Sequence, residues 1–235
     1  MGTTTTRHSI DPNVAEVASL IGDSGRAAML FALLDGGDLP ASELAYRAGV
    51  SPQAATAHLK KLVGAGLLAV RTAGRHRLFR LASSEVGHAM ETLASIAKPP
   101  RIVALRQSSA MMRLREARSC YDHLAGRLGV AVTQRLIERG ALRLRGEDLA
   151  LAPGAEREFA RIGLDLAVVR DSRRTLARAC LDWTERKPHV AGNVGASLLA
   201  LFFARDWVAR HRADRSLRIT DAGRQALERE FQLHF

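Results

Sequence analysis

The chain is 235 residues long, enough for one large or two ordinary domains that each bury a core without metal or disulfide staples. Lys and Arg number 35 against 24 Asp and Glu, a formal charge of +11. That excess points to a polyanionic partner such as nucleic acid, with an anionic membrane surface as the competitor, although a GC-rich genome also enriches arginine. There are only two cysteines, far apart, and no apolar targeting segment at the N-terminus, so the expectation is a cytoplasmic protein with free thiols. The longest apolar stretch, VGASLLALFFA, is too short to span a bilayer; it predicts a buried helix and no membrane association.

Residues 1–10 are polar and aperiodic and read as a flexible tail. From there helical spacing begins, with Asp11 as N-cap, Pro12 at the first position, and Val14, Val17, Ala18 and Ile21 on one face. Asp23 caps a second helix whose stripe is Met29, Leu30, Leu33 and Leu34, ended by DGGD. A third helix runs from about Ala41 to Ala48 and stops at Gly49. A fourth is capped by Ser51, starts at Pro52 and keeps Ala55, Leu59, Leu62 and Val63 in register as far as Gly66. Two strand-like runs, Leu67 to Arg71 and His76 to Leu81, flank TAGR, a hairpin signal. A helix-turn-helix followed by a basic hairpin is a winged helix. The predicted fold is therefore mainly α: a winged helix-turn-helix over 11–97, a linker and candidate dimerisation helix over 98–117, and a duplicated, mostly helical domain with short β-hairpins over 118–235.

The stretches IGDSGRAAMLFALL and ASELAYRAGVSPQAATAHLKKLVGAGLLAVRTAGRHRLFRL resemble the arsenic-repressor (ArsR-type) family of bacterial winged-helix regulators. The most specific part is TAHLKKLVGAGLL, matching the family's Ser/Thr-x-His-Leu-x-x-Leu-x-x-Ala-Gly-Leu pattern. The resemblance implies a homodimer that represses promoters and releases DNA when an effector binds. It does not carry over the family's sensor sites. The helix before the turn, LPASELAYRAG, has no cysteine for a soft metal. The helix after the wing offers only Glu85, His88 and Glu91, too thin a set for a zinc-type site.

A helix fits the major groove, so the outer face of residues 51–61 is expected to read DNA, with double-stranded inverted-repeat DNA as the partner. Gln53 and Thr56 can hydrogen-bond base edges, Ala57 can touch a thymine methyl, and Lys60 and Lys61 are placed to meet phosphate. Arg71, Arg75 and Arg77 flank the wing turn, where one could enter the minor groove. A merely solvated basic face is the competing reading. His58 falls on the helix's half-buried shoulder, where a structural hydrogen bond is favoured over a phosphate contact.

The C-terminal half repeats itself. Cys120 and Asp122 in CYDHLAGRLG match Cys180 and Asp182 in CLDW, and His123, Gly126 and Gly129 match His189, Gly192 and Gly195 in HVAGNVG. The second copy carries six extra residues, WTERKP. The runs RGALRLRGEDLALAPGAEREF and RDWVARHRADRSLRITDAGRQAL each predict strand, turn, strand and helix, giving repeats over 118–170 and 178–235. The motif glycines predict two motif helices that cross closely. The crossing would gather Cys120, His123, Cys180 and His189 into a candidate site for a thiophilic metal ion such as zinc, with Asp122 and Asp182 as further candidate ligands. Two other readings stay open: thiol oxidation, and a packed interface in which cysteines fill space and histidines hydrogen-bond.

The leading expectation is a homodimeric repressor released by an effector ion, oxidant or small molecule sensed in the C-terminal domain; the alternative is an architectural DNA-binding protein with no effector. No nucleotide loop, nucleophile elbow or isolated carboxylate pair points to an enzyme.

Overall fold

A computed structural model describes residues 12–74, 76–98, 104–171 and 174–235. The expected tail, the Asp11 cap and the wing residue Arg75 lie outside the described residues. Contacts divide the chain into two units, Met1–Phe31 with Asp38–Ala82, and Ala32–Gly37 with Ser83–Phe235.

The first unit holds helices α1 (Val14–Ile21), α2 (Ser24–Ala32), α3 (Ala41–Ala48) and α4 (Pro52–Gly64), with strands β1 (Leu39–Pro40), β2 (Leu68–Ala73) and β3 (His76–Leu81) in the order β1-β3-β2. Helix α1 starts on Asn13, whose side chain accepts from the Glu16 amide at 3.2 Å. Asp23 caps α2 by accepting from the Arg26 amide at 2.9 Å. That helix ends at Ala32, so Leu33 and Leu34 are fully buried but lie just beyond it. Gly49, at φ 64°, closes α3 in the left-handed conformation that glycine adopts without a Cβ penalty. Ser51 then caps α4, accepting from the Ala54 amide at 3.2 Å, and Pro52 fills the first turn, where a missing N–H costs nothing. Leu44, Ala55, Leu59, Leu62, Leu68, Phe79 and Leu81 form the core under the two helices and the wing. Strands β2 and β3 pair from Leu68↔Leu81 to Ala73↔His76. Strand β1, which carries no alternating pattern, is recruited by Leu39↔Phe79 pairing. This is the expected winged helix-turn-helix.

The second unit begins with α5 (Ser84–Ile96) and α6 (Leu105–Glu116). The division after Ala82 differs from the boundary expected at residue 97, and the reason is packing on α5. Glu91 is buried there and ion-paired with Arg215, and a Cβ added at Gly87 would fall 2.9 Å from the Tyr121 ring.

The remainder of this unit is the duplication. The first copy runs β4 (Arg118–Cys120), β5 (His123–Ala125), α7 (Gly126–Glu138), β6 (Leu142–Arg145), β7 (Asp148–Leu151) and α8 (Ala155–Arg161), with α9 (Leu166–Arg170) after it. The second runs β8 (Arg178–Leu181), β9 (Pro188–Ala191), α10 (Gly192–Ala204), β10 (Val208–Arg210), β11 (Leu217–Ile219) and α11 (Asp221–Ala226), extended by a π-helical turn at Leu227–Phe231. Each copy is hairpin, helix, hairpin, helix. Core positions recur in register: Leu124 with Val190, Leu128 with Val194, Val132 with Leu198, Leu136 with Phe202, Leu142 with Val208. The apolar stretch is α10, with Leu198, Leu199 and Phe202 buried. Among the described residues no helix is long and apolar enough to cross a membrane.

One local expectation is corrected. The Cys and His of each motif are not on a helix but face each other across a hairpin, Cys120↔His123 in β4–β5 and Cys180↔His189 in β8–β9. The first hairpin turns through Tyr121 and Asp122 alone, with Tyr121 at φ 58°; the second has room for the six extra residues. Nor do the motif glycines serve a helix-on-helix crossing. Gly126 and Gly192, both at φ +76°, turn a strand into a helix within one residue. Gly129 and Gly195 let each helix lie against its own hairpin and beneath the other copy's histidine: a Cβ on Gly195 would collide with the Val190 carbonyl and come within 3.0 Å of His123 Cβ.

Gly195→Ala is therefore expected to lower stability by about 1–3 kcal/mol or more, because a backbone carbonyl cannot step aside. Gly64→Ala, where nothing lies within 4 Å, is expected to leave stability unchanged or raise it by about 0.5–1 kcal/mol. Urea unfolding of the two variants against the parent makes the comparison; equal effects would contradict the packing role of Gly195.

Candidate functional site

Among the described residues two sites stand out, one in each unit. On α4, Ala55, Leu59 and Leu62 are buried, which leaves Gln53, Thr56, Ala57, Lys60 and Lys61 on the exposed face. The Thr56 hydroxyl donates to the Pro52 carbonyl at 2.9 Å, so it faces outward with only its lone pairs available. On the wing, Arg77 is exposed and stacks 5.7 Å over the Phe79 ring. Arg71 is committed elsewhere, paired with Asp38 through two nitrogens at 2.7 and 2.8 Å. Thr56, Lys60, Arg77 and Phe79 line a shallow groove between helix and wing. His58 sits half-buried with Nδ1 3.8 Å from Asp23 Oδ1, a packing position between helices.

In the second unit the two motif hairpins bring Cys120, His123, Cys180 and His189 together, with one ligand atom from each residue all within 4.8 Å of one another. The sulfurs are 3.7 Å apart and both thiols are free. The imidazoles pack against each other, centroids 5.0 Å apart and planes tilted by 31°. Cys120 and both histidines are buried and Cys180 is half-buried. Nε2 of His123 and both ring nitrogens of His189 have no hydrogen-bonded nitrogen or oxygen, His189 Nδ1 standing 3.6 Å from Asp182 Oδ2; each imidazole has the Cys180 sulfur as a neighbour. Buried polar atoms are normally satisfied, so unpartnered ring nitrogens beside a thiol suit a site that takes a further partner.

The electrostatics of the cluster are those of a thiolate held among donors. The Cys120 thiol and then the two imidazoles favour a charged Cys180, against the cost of burial, and lower its pKa far below the ordinary thiol range. Full burial, with the proton shared toward Cys180, pushes Cys120 the other way. Burial alone would strip His123 of its proton, yet its bonds to Asp122 and Cys180 raise it overall; for His189 burial prevails and the pKa falls.

The two aspartates differ from each other. Asp122 Oδ1 lies 3.1 Å from His123 Nδ1, and its other oxygen pairs with Arg174. Asp182 is wholly buried. Its Oδ2 accepts from Arg118 at 2.9 Å and from the Gly126 amide at 2.7 Å, and its Oδ1 accepts from Thr184 and Glu185. Burial would raise the Asp182 pKa, but Arg118 and Thr184 hold it down to about 2. Arg118 is not among the residues that the sequence alone picks out. The signal was present in the repeat, which reads Arg-x-Cys in both copies, Arg118 and Arg178. Thr133 is a second such residue: its hydroxyl accepts from the Val190 amide at 2.9 Å, tying one copy's helix to the other's hairpin.

Known proteins resemble parts of this chain. A family model described as a helix-turn-helix domain matches residues 21–71, which takes in α2, α3, α4 and the first half of the wing. Among solved structures, reduced HlyU from Vibrio cholerae is 27% identical, covering 37% of this chain and 90% of its own, with a TM-score of 0.34. The cadmium sensor CmtR from Mycobacterium tuberculosis is 29% identical over 39% of this chain and 99% of its own, TM-score 0.32. The homodimeric winged helix-turn-helix domain Mb0332 from Mycobacterium bovis, described as a possible ArsR-family regulator, is 22% identical over 39% and 87%, TM-score 0.33. These likenesses span little more than a third of the chain. One relative spans nearly all of it: the HTH-type transcriptional regulator YdfF of Bacillus subtilis, itself uncharacterized, is 38% identical over 224 residues, 95% of this chain and 99% of its own. Identity at that level over nearly the whole length of both chains means that the chain belongs to the helix-turn-helix transcriptional regulators.

Proposed function

We propose that this DNA-binding regulator is a cytoplasmic homodimeric repressor whose second unit senses a thiophilic metal ion through Cys120, His123, Cys180 and His189, and that the ion releases it from an inverted-repeat operator. The observation that carries the reading is the convergence of two thiols and two imidazoles within 4.8 Å, one of each from either copy. Dimerisation is supported by helices that keep apolar side chains in the open. Helix α1 buries none of its residues, with Val14 69% exposed. Separately, Ile96 on α5 and Leu105 and Met112 on α6 are exposed. A two-fold protein then reads a two-fold site. Gln53 and Thr56 read base edges, Ala57 touches a thymine methyl, and Lys60, Lys61, Arg75 and Arg77 supply phosphate or minor-groove contacts. Arg71 joins them only by leaving Asp38.

Oxidation is the second reading, favoured by sulfurs 3.7 Å apart that need only close to about 2.05 Å to form a disulfide.

For DNA reading, the probe is an inverted-repeat duplex selected from random sequence, measured by fluorescence anisotropy beside a scrambled duplex. Gln53→Ala is expected to cost about 1–3 kcal/mol on the selected sequence alone. Lys61→Ala is expected to weaken both duplexes alike and to reduce the salt slope by about one. Equal losses on both duplexes for both variants would remove the division between base and phosphate contacts.

For sensing, zinc added to chelator-treated protein is expected to weaken operator binding by about 5–150-fold. Cys120→Ser with Cys180→Ser abolishes that response, and so does His123→Ala if the effector is a metal. An oxidant-driven response that survives His123→Ala but not the cysteine changes would favour the disulfide. Operator binding indifferent to zinc and to oxidant would leave an architectural protein.

A further inference from the structure

The metal reading leaves open how the histidines are aimed and whether the aspartates bind the ion. Resting on that reading, we propose that Asp122 is a positioning residue rather than a ligand. Its carboxylate holds Nδ1–H of His123 so that Nε2 is presented to the two sulfurs, and the site so formed takes a borderline-soft divalent ion of tetrahedral preference, the zinc class.

The geometry bears on each part. An ionised carboxylate can only accept, so the 3.1 Å contact between Asp122 Oδ1 and His123 Nδ1 puts the imidazole proton on Nδ1. In the neutral ring that an ion requires, the lone pair is then on Nε2, the buried atom with no oxygen or nitrogen partner. Histidines that bind metals characteristically donate their other ring N–H to a carboxylate, which fixes ring and tautomer. The second Asp122 oxygen is paired with Arg174, so both carboxylate oxygens are already engaged by protein donors.

Asp182, its counterpart in the repeat, has a different task. It stands 3.6 Å from His189 Nδ1, beyond hydrogen-bond length, and its oxygens are engaged by Arg118, the Gly126 amide, Thr184 and Glu185. It fastens the second hairpin to the first copy's helix. The two aspartates that look equivalent in sequence have thus divided the work.

The ion class follows from the donors and their spacing. Two thiolates and two imidazoles suit zinc-like ions and not magnesium or calcium, which take oxygen. With metal–sulfur bonds of about 2.3 Å, a tetrahedron sets its sulfurs about 3.8 Å apart. The observed separation is 3.7 Å. Two thiolates would also neutralise a dication inside a closed site.

The test uses the full-length protein with cobalt(II) as a spectroscopic stand-in for zinc, and zinc competition for affinity. The parent protein is expected to give the intense visible bands of tetrahedral cobalt with sulfur-to-metal charge transfer. Asp122→Ala is expected to lower affinity by about 10–100-fold with band positions and intensities retained at saturation. Arg174→Gln, which removes the ion pair at the hairpin tip but leaves the histidine contact, is expected to stay within about three-fold of the parent. A merely structural role would move the two variants together. Far-ultraviolet circular dichroism of the metal-free proteins checks folding. If Asp122→Ala is unfolded, the isosteric Asp122→Asn is read instead, with a loss of about ten-fold expected. No cobalt or zinc binding by the parent overturns the metal reading and this proposal with it. Tight binding by the parent and equal binding by the Asp122 variant overturns only the positioning role. A loss of tetrahedral intensity in the variant makes Asp122 a ligand and also overturns that role.

Discussion

The second unit depends on one constraint: two β-hairpins must lie close enough for the histidine of each to rest on a glycine of the other copy's helix. Gly129 and Gly195 make that approach possible, since any side chain there would strike the Leu124 or Val190 carbonyl. Once the approach is allowed, proximity does the rest. The imidazoles meet, the sulfurs come within 3.7 Å, and hydrogen bonds cross between copies, from the Gly126 amide to Asp182 and from the Val190 amide to Thr133. The apolar core beneath, from Leu124 to Phe231, surrounds this polar centre. Burial then sharpens every charge in it, because nearby water does not screen them.

The first unit is built on more familiar terms. Ser51, Pro52 and Gly49 place the start of α4 by capping and turn chemistry alone, and the buried stripe of Ala55, Leu59 and Leu62 decides which face remains outward. Arg71 shows how a charge on the wing can be occupied within the unit itself, here by Asp38.

How far each unit could be read from sequence depends on how local its determinants are. Helices α2, α3 and α4 and the wing hairpin carry their own caps, turn residues and periodicity, and they appear close to where these signals put them. The pairing of β1 with β3 could not be seen, because Leu39 and Pro40 gain strand geometry only from a partner some forty residues away. The repeated Cys and His residues disclosed the duplication and their convergence. They misled about secondary structure, because Cys120 and His123, three apart, fit helix spacing as well as a two-residue hairpin turn, and only the left-handed Tyr121 separates the two. Nothing in the sequence of α5 announces that Glu91 answers Arg215, more than a hundred residues on. The parts of the polar centre that stayed hidden, Arg118 and Thr133, are ordinary residue types whose meaning comes from long-range partners.

That each copy contributes one sulfur and one imidazole has a kinetic and concentration-related consequence. Half of the constellation on its own would need a second molecule to complete it, and its assembly would track how much protein the cell contains. With both halves on one chain, the missing half is always at an effective concentration fixed by the connecting residues, which for short tethers is of millimolar order. Completion of the centre then needs no second molecule, so a molecule at low copy number presents the same finished donor set as one in excess.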